Sequence, residues 1–150
     1  MARVLVACDH RGVESKERII AWLKEQGHDP VDMGPRTTES VDYPDYAFAV
    51  AERTVASNGT EVGLLICGWG NGMAIAANKV RGARAALCLF DTQSRYARWH
   101  NDANILVLSA EATGWGLMKR IMAAFLEEKF EGGRHERRIK RIAEYEDKRP

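Results

Sequence analysis

Cys67 closes an apolar run, Leu64–Cys67, and glycine then takes every other position: Gly68, Gly70 and Gly72. A strand that stops at Cys67 holds the thiol at its carboxyl end, where open α/β sheets place their ligands. The glycines, with Trp69 and Asn71 between them, let the backbone turn tightly and approach a bound molecule, so that loop amides converge on an anion. A thiolate beside such amides suits proton abstraction next to a carbonyl: sulfur takes the proton and the amides hold the negative oxygen. The same residues also read as a small buried hydrophobe before an ordinary turn. A dinucleotide fingerprint fits less well. Asp91 lies about 20 residues downstream, where a ribose-binding acid belongs, but the spacing is not G-x-G-x-x-G and the loop follows the third strand, not the first.

Four further groups carry chemistry. Asp9-His10 ends the first apolar run before Gly12, which places both side chains on the edge that carries Cys67, as site residues or as a cap on the next helix. Asp42-Tyr43-Pro44-Asp45 closes a long loop; Asp45 reads as a helix cap, and Tyr43 has no structural duty. His100-Asn101-Asp102-Ala103-Asn104 is a dense polar cluster between a helix and a strand, where His100 is either a proton carrier near neutral pH or a helix-end residue. Arg134, Arg137, Arg138 and Arg141 share one helix face, either a solvated stripe or a phosphate clamp. The histidines, at 10, 28, 100 and 135, lack zinc-type spacing, so no metal site is expected.

These groups need a framework. Apolar strands at Val4–Cys8, around Val31–Met33, at Val62–Cys67, Arg84–Leu89 and Ile105–Leu108 alternate with helical patterns. The helices are expected at Gly12–Gln26, Asp45–Ala56, from Met73, at Thr92–Trp99, Trp115–Lys129 and Arg134–Asp147. This alternation predicts right-handed βαβ crossovers: an α/β, Rossmann-like three-layer αβα sandwich on a five-stranded, mainly parallel sheet. The 150 residues suit one domain, 1–150. The helix from about 134 is too polar to be stable alone, and is expected to pack across the domain or on a second subunit. Lys plus Arg number 22 against 21 acids, which gives no global reason to expect nucleic acid or an acidic surface as partner. No apolar run spans a bilayer. Cys8, Cys67 and Cys88 form no C-x-x-C pair and point to a reducing cytoplasm.

Several segments together resemble one family. ACDH, ESVDYPDYA, ICGWGNGM followed by IAANKV, RAALC, HNDANIL and FEGGRHERRI, from about Arg3 to Ile142, look like the type B ribose-5-phosphate isomerases. Galactose-6-phosphate and allose-6-phosphate isomerases belong to the same family. The resemblance implies a cofactor-independent aldose–ketose isomerase, with ribose 5-phosphate and ribulose 5-phosphate as the default pair and active sites at a homodimer interface. It implies Cys67 as the base between C1 and C2, amides of Gly68–Gly72 around the enediolate, and Asp9 and Tyr43 on the sugar. The resemblance further implies that His100, assisting ring opening, and Asn101 come from the partner subunit, and that His10, Arg134 and Arg138 bind phosphate. Two positions depart from the family: Trp69 replaces a threonine or serine, and Glu111 stands where an arginine commonly binds phosphate. Met73 occupies the position of an alternative acid base, which leaves Cys67 as the one candidate. The departures leave open another aldose phosphate, a tetrose or hexose phosphate, or a non-catalytic domain that binds sugar phosphate or nucleotide. Dimers pairing into tetramers also remain open.

Overall fold

A computed structural model describes residues 1–148; the last two residues of the expected domain lie outside the described residues. The chain alternates β1 (Arg3–Cys8), α1 (Val13–Glu25), β2 (Asp29–Asp32), α2 (Tyr43–Ala56), β3 (Glu61–Cys67), α3 (Asn71–Ala77), β4 (Ala85–Leu87), α4 (Asp91–Asn101), β5 (Ile105–Ser109), α5 (Trp115–Glu127) and α6 (Arg134–Glu146). The strands line up β2-β1-β3-β5-β4, and every pair is parallel.

Near-continuous apolar strands result from burial on both faces. Val4, Val6, Cys8, Leu64, Ile66, Leu106 and Leu108 pack beneath α1, α4 and α5, around Ile19, Leu23, Ile121, Met122 and Phe125. Leu5, Ala7, Leu65, Cys67, Ile105 and Val107 face α2 and α3, against Val50, Met73 and Ala77. The order reverses between β1 and β3. From β1 the chain crosses through α1 on one face, and from β3 it continues into α3 on the other. The crevice at their carboxyl ends is therefore a topological switch point, the place where such sheets bind ligands.

Several expected boundaries move. α2 begins at Tyr43, with Asp42 as N-cap, so Asp45 lies in the first turn and is not the cap. Pro44 suits that turn, where its missing N–H leaves no bond unmade. β4 shrinks to three residues at the sheet edge. α3 starts two residues before Met73. α4 extends through Asn101, so His100 and Asn101 belong to its last turn and not to a connecting loop. In α5 the buried face is Met118, Ile121, Met122, Ala124 and Phe125, with Leu117 and Leu126 partly buried. α6 buries His135 alone among its described residues. No helix among the described residues is long and apolar enough to cross a membrane.

Candidate active site

Cys67 ends β3 and is 6% exposed. Its carbonyl accepts the Ala110 N–H at 2.9 Å, and the Gly68 carbonyl accepts the Ser109 hydroxyl at 2.8 Å, which fastens the loop to the end of β5. Gly70 turns the chain at φ 86, a left-handed conformation that L side chains rarely adopt. That turn aims the Gly70 N–H at Cys67 Sγ, 3.1 Å away. Burial pushes the thiol above its usual value, and the charge of Asp9 adds to the rise; the Met73, Gly70 and Trp69 amides work against both. The other cysteines lack such a cradle: burial drives Cys8 up to about 12 and Cys88 up to about 11. All three are free. The loop amides thus act on the sulfur, where N–H donors favour the thiolate.

Around this thiol the structure gathers one set of the expected residues. Asp9 is buried, and its Oδ1 accepts the N–H groups of Arg11 and Gly12 at 3.0 and 3.1 Å. Asp9 does not cap α1, whose N-cap Gly12 has no side-chain bond; its carboxylate holds the turn between β1 and α1, beside a thiol whose titration it affects. His10 Nδ1 accepts the Val41 N–H at 3.4 Å and ties the long loop to the crevice. Tyr43 does have a contact. A Cβ added to Gly72 would meet its ring carbons at 2.6 and 2.8 Å, so the missing side chain at 72 makes room for the tyrosine beside the loop. Asn71 opens α3 and is exposed. Trp69 is 60% exposed, so its indole fills no cavity of this chain alone. Met73 is fully buried. Glu111 pairs with Arg11, a partnership that no motif signals.

The remaining expected residues form a second group elsewhere. α4 starts after the carboxyl end of β4 and runs back to the amino edge of the sheet, where Asn104 leads into β5. Gly63 pairs with Ile105 and Cys67 with Ser109, four steps on. At about 3.3 Å per step, about 13 Å of strand separates the two edges. His100 and Asn101 are therefore on the edge opposite the Cys67 of their own chain. Asp102, at φ 46, ends the helix. Arg84 clasps it through the Asp102 carbonyl at 2.8 Å and Oδ2 at 2.9 Å, and the Arg84 N–H donates to Asn104 Oδ1 at 2.8 Å. Two of the polar residues in HNDAN are thus structural, and they present the other two.

α6 begins beside this turn. The rings of His100 and His135 stack with centroids 4.0 Å apart and planes at 12°. Glu131 Oε2 lies 3.8 Å from His100 Nε2 and 3.4 Å from His135 Nε2. Arg134 Nε approaches His135 Nε2 at 3.4 Å, and Arg138 is exposed on the same helix. Burial, His100 and Arg134 all hold the His135 imidazole below its usual value. Sequence spacing misses the cluster of His100, Glu131 and His135, whose ligand atoms lie within 4.8 Å of one another. It is not a preformed metal centre: the lone pairs of parallel, stacked rings run side by side instead of converging on one point.

A cavity of about 490 Å³ also lies at the amino edge, lined by Thr54, Glu61, Arg84, Arg98 and Asn104 among others. None of its lining residues belongs to the thiol group. The chain thus presents a thiol half, with Asp9, His10, Tyr43 and the Gly68–Gly72 loop, and a His/Arg half, with His100, Asn101, Arg134 and Arg138.

The profile of the Ribose/Galactose Isomerase family matches residues 4–142. The chain belongs to this family. It is an isomerase. It is 40% identical over 149 residues to the ribose-5-phosphate isomerase B of Escherichia coli K12, covering 99% of each chain. The solved structure of Clostridium thermocellum ribose-5-phosphate isomerase B superposes with a TM-score of 0.93 at 43% identity, over 97% of this chain and 98% of that one. The Mycoplasma genitalium ribose-5-phosphate isomerase B, crystallised with bound ribulose-5-phosphate, matches with a TM-score of 0.94 at 40% identity, over 98% and 97%. These likenesses bear out the family and the three-layer fold expected from the motifs.

Proposed function

We propose that this isomerase interconverts ribose 5-phosphate and ribulose 5-phosphate through a cis-enediolate, without a cofactor. The observation that carries the reading is the Cys67 thiol at the switch point with the Gly70 amide on its sulfur. The ribulose-5-phosphate complex of the Mycoplasma genitalium relative supports the choice of substrate. The Cys67 thiolate removes the C2 proton of the open-chain aldose, leaving an enediolate across C1 and C2. Amides of the Gly68–Gly72 loop hold the developing oxyanion. The thiol returns the proton to C1 while the O2 hydroxyl proton passes to O1, giving the ketose. Asp9 and Tyr43 orient the sugar, and His100 moves the proton that opens the ring.

The working unit is a homodimer in which Cys67, Asp9, His10 and Tyr43 of one chain meet His100, Asn101, Arg134 and Arg138 of the other. What supports this is the sheet-height gap between the two halves, together with α6, whose described residues are nearly all exposed. The chain forms one domain, 1–150; α6 is tied to its own chain by His135 on His100 and by Glu146 Oε2, which accepts the Gly82 N–H at 3.0 Å, and its exposed face packs on the partner subunit with its arginines on the substrate phosphate. Three free, buried cysteines suit the reducing cytoplasm.

A second reading is a different aldose phosphate as substrate. It is favoured by Trp69, whose exposed indole projects from the loop that would cradle the reacting carbons. The test is ketose formation from four-, five- and six-carbon aldose phosphates by chelator-treated enzyme in deuterated water. Ribose 5-phosphate turning over fastest, with deuterium in the product, supports the proposal. Preference for another chain length supports the second reading. No turnover of any sugar overturns both.

A further inference from the structure

Arg11 follows Asp9 and His10 directly at the carboxyl end of β1, inside the switch-point crevice. Its backbone is fixed by the bond from its N–H to Asp9 Oδ1. Its guanidinium lies along the start of the glycine loop: a Cβ on Gly68 would meet Nη1 at 3.0 Å, Cζ at 3.1 Å and Nε at 3.3 Å. Gly68 is the residue after Cys67. On its other side the guanidinium donates from Nη2 to Glu111 Oε1 at 2.5 Å. The Glu111 N–H in turn donates to the Gly68 carbonyl at 3.0 Å. One side chain thus joins the loops that leave β1, β3 and β5.

Stability is a weak reason for this arrangement. Side-chain exposures are 49% for Arg11 and 44% for Glu111, and an ion pair so open to water adds little to folding. Glu111 takes one N–H of the fork; the rest meet no protein acceptor among the described residues. A guanidinium held at one corner, with half-exposed planar donors beside the glycine loop, is what a phosphate needs for two-point binding. Glu111 alone would repel a phosphate. Paired with Arg11 its charge is offset, and it sets the direction of the fork.

We propose that Arg11 binds the substrate phosphate from the thiol half of the site, with Glu111 as its positioning residue. This deepens, and rests on, the sugar-phosphate isomerase reading. Arg11 thereby supplies a cation on the side of the phosphate away from the partner's α6, at a position where Glu111 offers none.

The test compares the parent with Arg11→Met and Arg11→Lys, reading KM and kcat for ribose 5-phosphate, the Ki of inorganic phosphate as competitor, and Tm. In Arg11→Met, KM and Ki are expected to rise together by about 10–100-fold, the worth of a charge-assisted hydrogen bond, with kcat within about threefold and Tm little changed. Arg11→Lys should recover part of both losses, because the charge remains while the fork is lost. KM and Ki within about twofold of the parent in Arg11→Met overturn the proposal. So does a lowered Tm with unchanged Ki, the mark of a merely structural ion pair. A parent that isomerises no aldose phosphate counts against the isomerase reading instead. Calorimetric titration of inorganic phosphate then still judges Arg11: weaker binding to Arg11→Met supports it, and equal binding rejects it.

Discussion

Two inactive variants should rescue each other if each site draws on two chains. Cys67→Ser removes the base from one half, and His100→Ala removes the ring-opening group from the other. Within one chain these positions lie on opposite edges of the sheet, with the four strand steps from Gly63 to Cys67 between them. That is about 13 Å, far beyond the span of a single proton transfer. In a mixed dimer with two-fold symmetry, one site carries both substitutions and the other carries neither. Random re-pairing of equal amounts makes about half of the dimers mixed, each with one restored site of two, or about a quarter of the parent activity. Loss of a proton-transfer group lowers the rate by about 10²–10⁴, so residual activity of either variant stays well below that level. The assay is ketose formation after mild unfolding and refolding of the mixture, with subunit exchange verified by mass-tagged chains. Exchange without recovery would refute two-chain sites, and with them the placement of α6 on a partner.

Other outcomes follow from the same geometry. Cys67→Ser alone should lower kcat by about 10²–10⁴ with KM nearly unchanged, since a hydroxyl is too weak an acid to supply the base. Because burial holds the Cys67 thiol high, parent kcat/KM should climb as pH rises above neutrality and the thiolate fraction grows; a profile flat from neutral to alkaline pH would speak against it. Trp69→Thr should shift preference among four-, five- and six-carbon aldose phosphates by about 10–200-fold, the scale of a one-methylene misfit; an equal change in kcat/KM for all three would make Trp69 an interface residue and not a selector. Asp32→Asn should cost about 2 kcal/mol in denaturant unfolding, because it leaves the Lys16 ammonium, 1% exposed, without its carboxylate at 2.5 Å. That figure sits below the usual cost of breaking a buried pair because Asp32 is partly exposed. Burial opposes ionisation of Asp32, but hydrogen bonds from Lys16 and the Gly34 amide, with the Lys16 charge, outweigh it and hold its carboxyl low. Its stabilising effect is then complete above the unfolded carboxyl value near 4 and fades as pH falls through the lower folded value, so the parent–variant gap should close in acid.

Residue order alone specified the alternation of strands and helices, because burial on both faces forces apolar strands and the crossovers between parallel strands demand helices. It also placed the thiol and Asp9-His10 on one edge, since in a parallel sheet every strand end followed by a glycine-rich turn lies on the same side. What it lacked was distance between segments. His100 and Asn101 read as part of a polar cluster between a helix and a strand, with no sign of which side chains they meet. The crossover through α4 returns them to the amino edge, and Arg84, 18 positions from Asp102 in sequence, fixes the turn that carries them. The stacking of His135 on His100 and the grip of Glu111 on Arg11 are likewise invisible in spacing, because the partners stand 35 and 100 positions apart in the sequence. Local pattern is governed by backbone geometry within a few residues. Which side chains converge is governed by strand order and crossover, and those exist only once the sheet has closed.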